Sequence, residues 1–249
     1  MARKLTFLLT DKTAWKLLLK TVFGLLALFI FRQFGFSYLS GAAAVIVFWG
    51  IYLSEVQERY ALGRSFWVMA FAGLVGGKIL ASAPLALLLG FTGLWTIGFF
   101  TVLGLTAFFF ANRQFVYGIF NTPVIFLVLF LFFYISQIGN FWSSGIILFL
   151  LIGLIFGEVF RFFEINAPRR TFLFSWGFAV LTLEVAWILS FLPLGFMNAA
   201  IFITLVLLVA RDTVINHFKG ALNLVFLLKE LAIFWVLGLL VFAASKWSL

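Results

Sequence analysis

The chain is a succession of apolar runs, most of them close to twenty residues long, separated by only a few polar residues each time. Residues 146–156 show the pattern: Ile, Leu, Phe and a single Gly, with nothing charged until Glu158. An α-helix needs roughly 20 apolar residues to cross a bilayer. Inside hydrocarbon the backbone must satisfy its own hydrogen bonds, which a helix does within one segment. Hydrophobic residues make up 65% of the 249 and charged residues 10%. A soluble domain carries about 25% charged residues. No water-soluble fold of this size could hide so much apolar surface. The pattern predicts an all-α fold, a polytopic integral membrane helical bundle forming a single transmembrane domain over 1–249.

Nine helices are expected, at about 14–31, 34–54, 65–83, 85–111, 122–137, 141–162, 171–191, 196–210 and 221–244. Pro84 separates the third from the fourth. Asp11 and Thr13 stand where a cap for the first helix belongs. A cleaved signal peptide is not expected, because the first apolar stretch leads into further spans without a small-residue cleavage site.

The basic residues orient this arrangement. With the N-terminus inside, Arg3, Lys4, Lys12, Lys16, Lys20, Arg59, Arg64, Arg113, Arg161, Arg169, Arg170, Arg211 and Lys219 fall at inner positions. Only Arg32 and Lys246 fall outside, and Lys78 and Lys229 lie within spans. An excess of Lys and Arg on the cytoplasmic side is the positive-inside rule. The net charge of +9 therefore reads as a topology signal beside anionic lipid and implies no nucleic-acid partner. The expected location is a prokaryotic cytoplasmic membrane, with the N-terminus cytoplasmic and the C-terminus outside. Trp15, Trp67, Trp142 and Trp247 fall near the expected interfaces, as an aromatic belt would place them.

The sequence also repeats itself. Gln33, Gly35, Ser40 and Gly41 recur as Gln137, Gly139, Ser144 and Gly145, all 104 positions on. Glu55 answers Glu158, Gly90 answers Gly195, and Gly118 with Asn121 answers Gly220 with Asn223. These polar and glycine matches stay in order. They predict a parallel duplication of about 14–121 and 122–223, followed by the last helix at 221–244. An even number of helices per copy keeps both copies in one orientation.

A charge near the bilayer centre costs about 2.5–3.5 kcal/mol on insertion scales, so ionisable residues within spans are the candidates for function. Lys78 and Glu184 each lie thirteen residues into their expected helices, about 20 Å from the inner surface at ~1.5 Å per residue. They stand at corresponding places in the two copies. An ion pair between the halves is expected, either as a gate or substrate site or as a structural lock. Lys229 and Glu230 lie in the last helix, with Lys229 placed to reach inward toward Glu158. Glu158 with Arg161, and Glu55 with Arg59, have the spacing of local pairs at the inner surface. His217 reads as a surface histidine in the last inner loop.

Other chemistry has little to build on. The chain has no cysteine and one histidine, which removes thiolate catalysis and most metal centres. Asp11 and Asp212 are the only aspartates, so paired-aspartate metal sites are not expected. Gly73 to Lys78 resembles a phosphate loop, but the spacing is one residue short and no Ser or Thr follows. Gly73 and Gly77 read better as small residues that let helices approach closely. Lys78 and Ser82, four apart, could form a Ser–Lys dyad, but nothing marks an oxyanion site. No cofactor is expected. A transporter, channel or lipid-translocating protein, with a site between two pseudo-symmetric halves, is the favoured reading. A non-catalytic membrane subunit or scaffold is the alternative, and an intramembrane enzyme ranks last. The partners expected are the lipid bilayer and a membrane-protein partner or second copy. A reporter fused after Leu249 is expected to read as non-cytoplasmic. A cytoplasmic signal from that fusion would refute the nine-span topology.

Overall fold

A computed structural model describes residues 12–34, 38–54, 62–80, 83–106, 112–136, 141–163 and 168–245. Among the described residues the chain forms nine α-helices and no strand. They are α1 Lys12–Gln33, α2 Tyr38–Ser54, α3 Gly63–Ile79, α4 Leu85–Thr106, α5 Arg113–Ser136, α6 Phe141–Phe162, α7 Pro168–Ser190, α8 Phe196–Phe218 and α9 Leu224–Ala243. Seven of them (α1 and α4 to α9) are long and apolar enough to cross a membrane, while α2 is a shorter apolar helix. This is the all-helical bundle of an integral membrane protein.

The helix ends follow local chemistry. Pro84 precedes α4, and its carbonyl accepts the N–H groups of Leu87 and Leu88. Pro168 opens α7, where a missing N–H costs nothing. Gly220, at φ 67°, makes the left-handed turn between α8 and α9. The Asn223 side chain then accepts from Phe226 N at 2.7 Å and caps α9.

Three expected boundaries are corrected. The fifth helix begins at Arg113 rather than about 122. Asn112 caps it by accepting from Phe115 N, and Pro123 sits inside the helix rather than at its start. The third helix stops at Ile79 rather than about 83, and the N–H of Leu80 closes it on the carbonyls of Gly76 and Lys78. The eighth runs on to Phe218, carrying Arg211, Asp212 and His217 into the helix. Asp11, Trp247, Ser82 and the Glu55–Arg59 pair lie outside the described residues.

The chain divides into two compact units, 1–124 and 125–249. In the first, α1 packs against α2, α3 and α4, and α3 packs against α2 and α4. Trp95 of α4 is its centre and is fully buried. Its ring stacks on Phe99 with centroids 4.8 Å apart and meets the edge of Phe48 at 6.2 Å. Its indole N–H donates to the carbonyl oxygen of Met69 at 2.7 Å. The ring fits only because α3 and α1 present glycines to this aromatic group. A Cβ on Gly73 would lie 2.5 Å from Trp95 Nε1, and one on Gly24 would lie 2.9 Å from Phe99 Cε1.

In the second unit α6 packs along α7, α7 meets α8, and α8 pairs with α9. The same device recurs: Trp176 of α7 lies over Gly153 of α6, where a Cβ would come within 2.8 Å of the ring. Phe156 and Phe178 meet at 4.3 Å on the same seam. Between α8 and α9, Phe202 contacts Phe234 and Phe242, and Asn198 donates to Ser245 Oγ at 3.1 Å. Lipid offers no water to expel, so this fit, by dispersion and a few hydrogen bonds, is what holds the helices together.

The small-residue reading of Gly73 and Gly77 holds at one position only. A Cβ on Gly77 would meet nothing within 4 Å. Gly73→Ala is therefore expected to push Trp95 off its bond to Met69 and to cost about 1–3 kcal/mol, the usual range for overpacking. Gly77→Ala should be neutral, or stabilising by up to about 1 kcal/mol from helix propensity. Thermal unfolding of both variants in detergent checks the contrast; equal behaviour would refute it.

Candidate functional site

Many hydroxyls in the described helices are satisfied by carbonyls of their own helix. Thr21 donates to Leu17 O at 2.9 Å, Thr182 to Phe178 O at 2.6 Å and Thr204 to Ala200 O at 2.7 Å. Thr92 and Thr96 bond the carbonyls one turn back in the same way, and Ser175 bonds the Thr171 carbonyl. These groups cost little inside a membrane, and the proton of each of the six is already committed. The ionisable residues therefore decide where a site can be.

The densest group of them lies in the α8–α9 hairpin. Arg211 is 6% exposed, and its Nε donates to Asp212 Oδ1 at 2.8 Å. Asp212 is partly exposed, and its backbone carbonyl accepts from Asn216 Nδ2 at 2.8 Å. Glu230 of α9 is half-buried and within electrostatic reach of Asp212, Lys229 and Arg211. The register explains the meeting. Asp212 stands six residues before the end of α8, and Glu230 stands six residues after the start of α9. Both therefore lie about 9 Å from the turn at ~1.5 Å per residue. Lys229, one residue away from Glu230, is exposed. Two cations and two carboxylates thus share one level of the hairpin.

The remaining candidates stand on α3, α6, α7 and the end of α8. Glu158 of α6 is buried, at 3% exposed, whereas Arg161 is exposed; a pair solvated on both sides is not what α6 carries. Lys78 belongs to the first unit and Glu184 to the second, and the side chain of each is exposed. Lys78 stands in the last turn of α3, where a cation complements the helix dipole. Counted from the starts of their helices, Lys78 lies fifteen residues into α3 and Glu184 sixteen residues into α7. Glu184 stands six residues before the end of α7. His217, in the last turn of α8, is exposed. Among the described residues no three His, Asp or Glu side chains converge as metal ligands would.

Sequence reasoning missed Arg211 and Asp212 because it placed them in a loop. The signal that could have found them is the pairing itself. An adjacent Arg and Asp neutralise one another, so a span can continue through them. The chain matches no protein-family model, no curated protein and no solved structure.

Asp212→Asn is expected to cost about 2–3 kcal/mol. That is less than the 3–5 of a fully buried broken pair, because the carboxylate is partly exposed. Replacing both, with Arg211→Met and Asp212→Leu, should recover most of the loss in thermal unfolding. An additive double mutant would show that the two do not act as a pair.

Proposed function

We propose that the chain is a small transport protein of the membrane, a transporter, channel or lipid-translocating protein, and that the α8–α9 cluster lies on its polar path. The observation that carries this reading is the hairpin's group of Arg211, Asp212, Lys229 and Glu230. Intramembrane ionisable residues are costly and generally mark ion, proton or substrate pathways. A helical hairpin that served only to fill space would be cheaper without them. The expected duplication would add to this reading, although its boundary at 121–122 falls inside α5, as does the division between the two compact units. Two similar halves in one orientation are a recurring plan among transporters.

A second reading, a non-catalytic subunit or scaffold, draws on α9. Among the helices of its unit, α9 packs chiefly on α8 and leaves Leu228, Leu231, Trp235 and Leu239 exposed. That face suits lipid or a partner helix.

The two readings differ in wetness, and the absence of cysteine makes the chain a ready background for measuring it. Single cysteines at Glu230 and Glu184 can be treated with a membrane-impermeant thiol reagent in sealed vesicles, beside a lipid-facing control, Leu239→Cys. A transport path predicts that Glu230→Cys, and also Glu184→Cys if that residue lines the path, reacts well above the control. Proteoliposomes should then show a proton or ion leak that Glu230→Gln reduces. Reactivity at Glu230→Cys no higher than at Leu239→Cys would favour the scaffold.

A further inference from the structure

The first unit contains a cleft that the reading of the second unit does not use. It offers about 80 Å³ of free volume and is partly open to the surroundings. Leu25, Leu28, Phe29 and Arg32 of α1 form one wall. Gly73 and Gly77 of α3 form the floor, and α4 closes the far side with Leu88, Phe91, Thr92 and Trp95. The three stripes run together, with Trp95 beside Gly73 at the deep end. Arg32 and Gly77, both near the C-terminal ends of their helices, mark the other end, with Leu88 of α4.

The walls make no polar demand below that mouth. The Thr92 hydroxyl is bonded to Leu88 O, and the Trp95 N–H is bonded to Met69 O. Gly77 lines the cleft, and a Cβ there would meet nothing within 4 Å, so the space beside it is open. The exception to the apolar lining is Arg32, the basic residue in the last turn of α1. Among the described residues no carboxylate pairs with its guanidinium. Lys78, next to Gly77 in sequence, adds a second exposed cation at the end of α3.

An apolar slot with positive charge at its mouth matches a molecule with the opposite arrangement. We propose that this cleft binds an anionic phospholipid, with an acyl chain lying along Gly73 and Gly77 and the phosphate at Arg32. The guanidinium fork suits phosphate oxygens, and the free volume accommodates a segment of chain that continues out into the bilayer. The assignment stands independently of the transport reading, because its residues all lie in the other unit.

The test is photocrosslinking in proteoliposomes, using phosphatidylglycerol or phosphatidylcholine that carries a diazirine within one acyl chain. Adducts are expected to concentrate in residues 25–32 and 88–95 and to be several-fold more abundant with phosphatidylglycerol. Arg32→Gln should remove that preference, Arg32→Lys should restore part of it, and Gly77→Leu should lower the yield with both lipids. Gly77→Leu adds its side chain to open space, and the unsubstituted protein alone tests both the location and the headgroup preference. Adducts spread evenly over the exposed apolar faces, no headgroup preference, or a yield unchanged by either Arg32→Gln or Gly77→Leu would overturn the proposal.

Discussion

The seating of Trp95 organises the first unit. A bilayer removes the force that usually assembles helices, since a leucine gains nothing by leaving lipid for protein. What remains is shape, and an indole has the largest flat surface available. Glycines at positions 24 and 73 let α1 and α3 close on the Trp95–Phe99 stack. The Met69 carbonyl then fixes the rotation of the ring. The contact of Trp176 with Gly153 repeats the arrangement between α6 and α7. A fold made almost entirely of apolar residues thus gains its specificity from a few places where a side chain is missing.

Much of the fold was legible because hydrophobic run length is a strong signal and the breaks are short. Nine helices were expected and nine are described. Two of the misplaced ends share one cause. Pro123 stands in α5 where proline usually signals a helix start, and Arg211 with Asp212 stands in α8 where charge usually signals a loop. In each case the local rule yields to context. Neighbouring helices tolerate a proline within a transmembrane helix, and a paired charge is cheaper than a lone one. The interior of each unit was much less legible. Gly73 and Gly77 look alike in sequence, but one touches an indole and the other faces open space. Only the packing distinguishes them.

The candidate residues show the same limit. Depth along a helix can be counted, so Lys78 and Glu184 could be matched in sequence. What the count does not show is that Lys78 falls in the last turn of α3, which stops one residue later. Glu230 was singled out, but its companions in α8 were not, because their helix had been ended at about 210, eight residues short of Phe218. Counting outward from the left-handed turn at Gly220 brings Asp212 and Glu230 to the same level. The rigid feature nearest a polar group was the better origin.

The α8–α9 hairpin also bears on how the chain is made. Arg211 adjoins Asp212, and Lys229 adjoins Glu230, so each helix brings its cation and its anion together. A segment leaving the translocation machinery partitions sideways into lipid according to its own free energy of transfer. A lone arginine in α8 would have to wait for a counter-charge synthesised later in α9. With each pair neutral within its own helix, neither segment depends on the other for release. The hairpin can enter the membrane in the order in which it is translated and assemble its four charges once both helices have arrived.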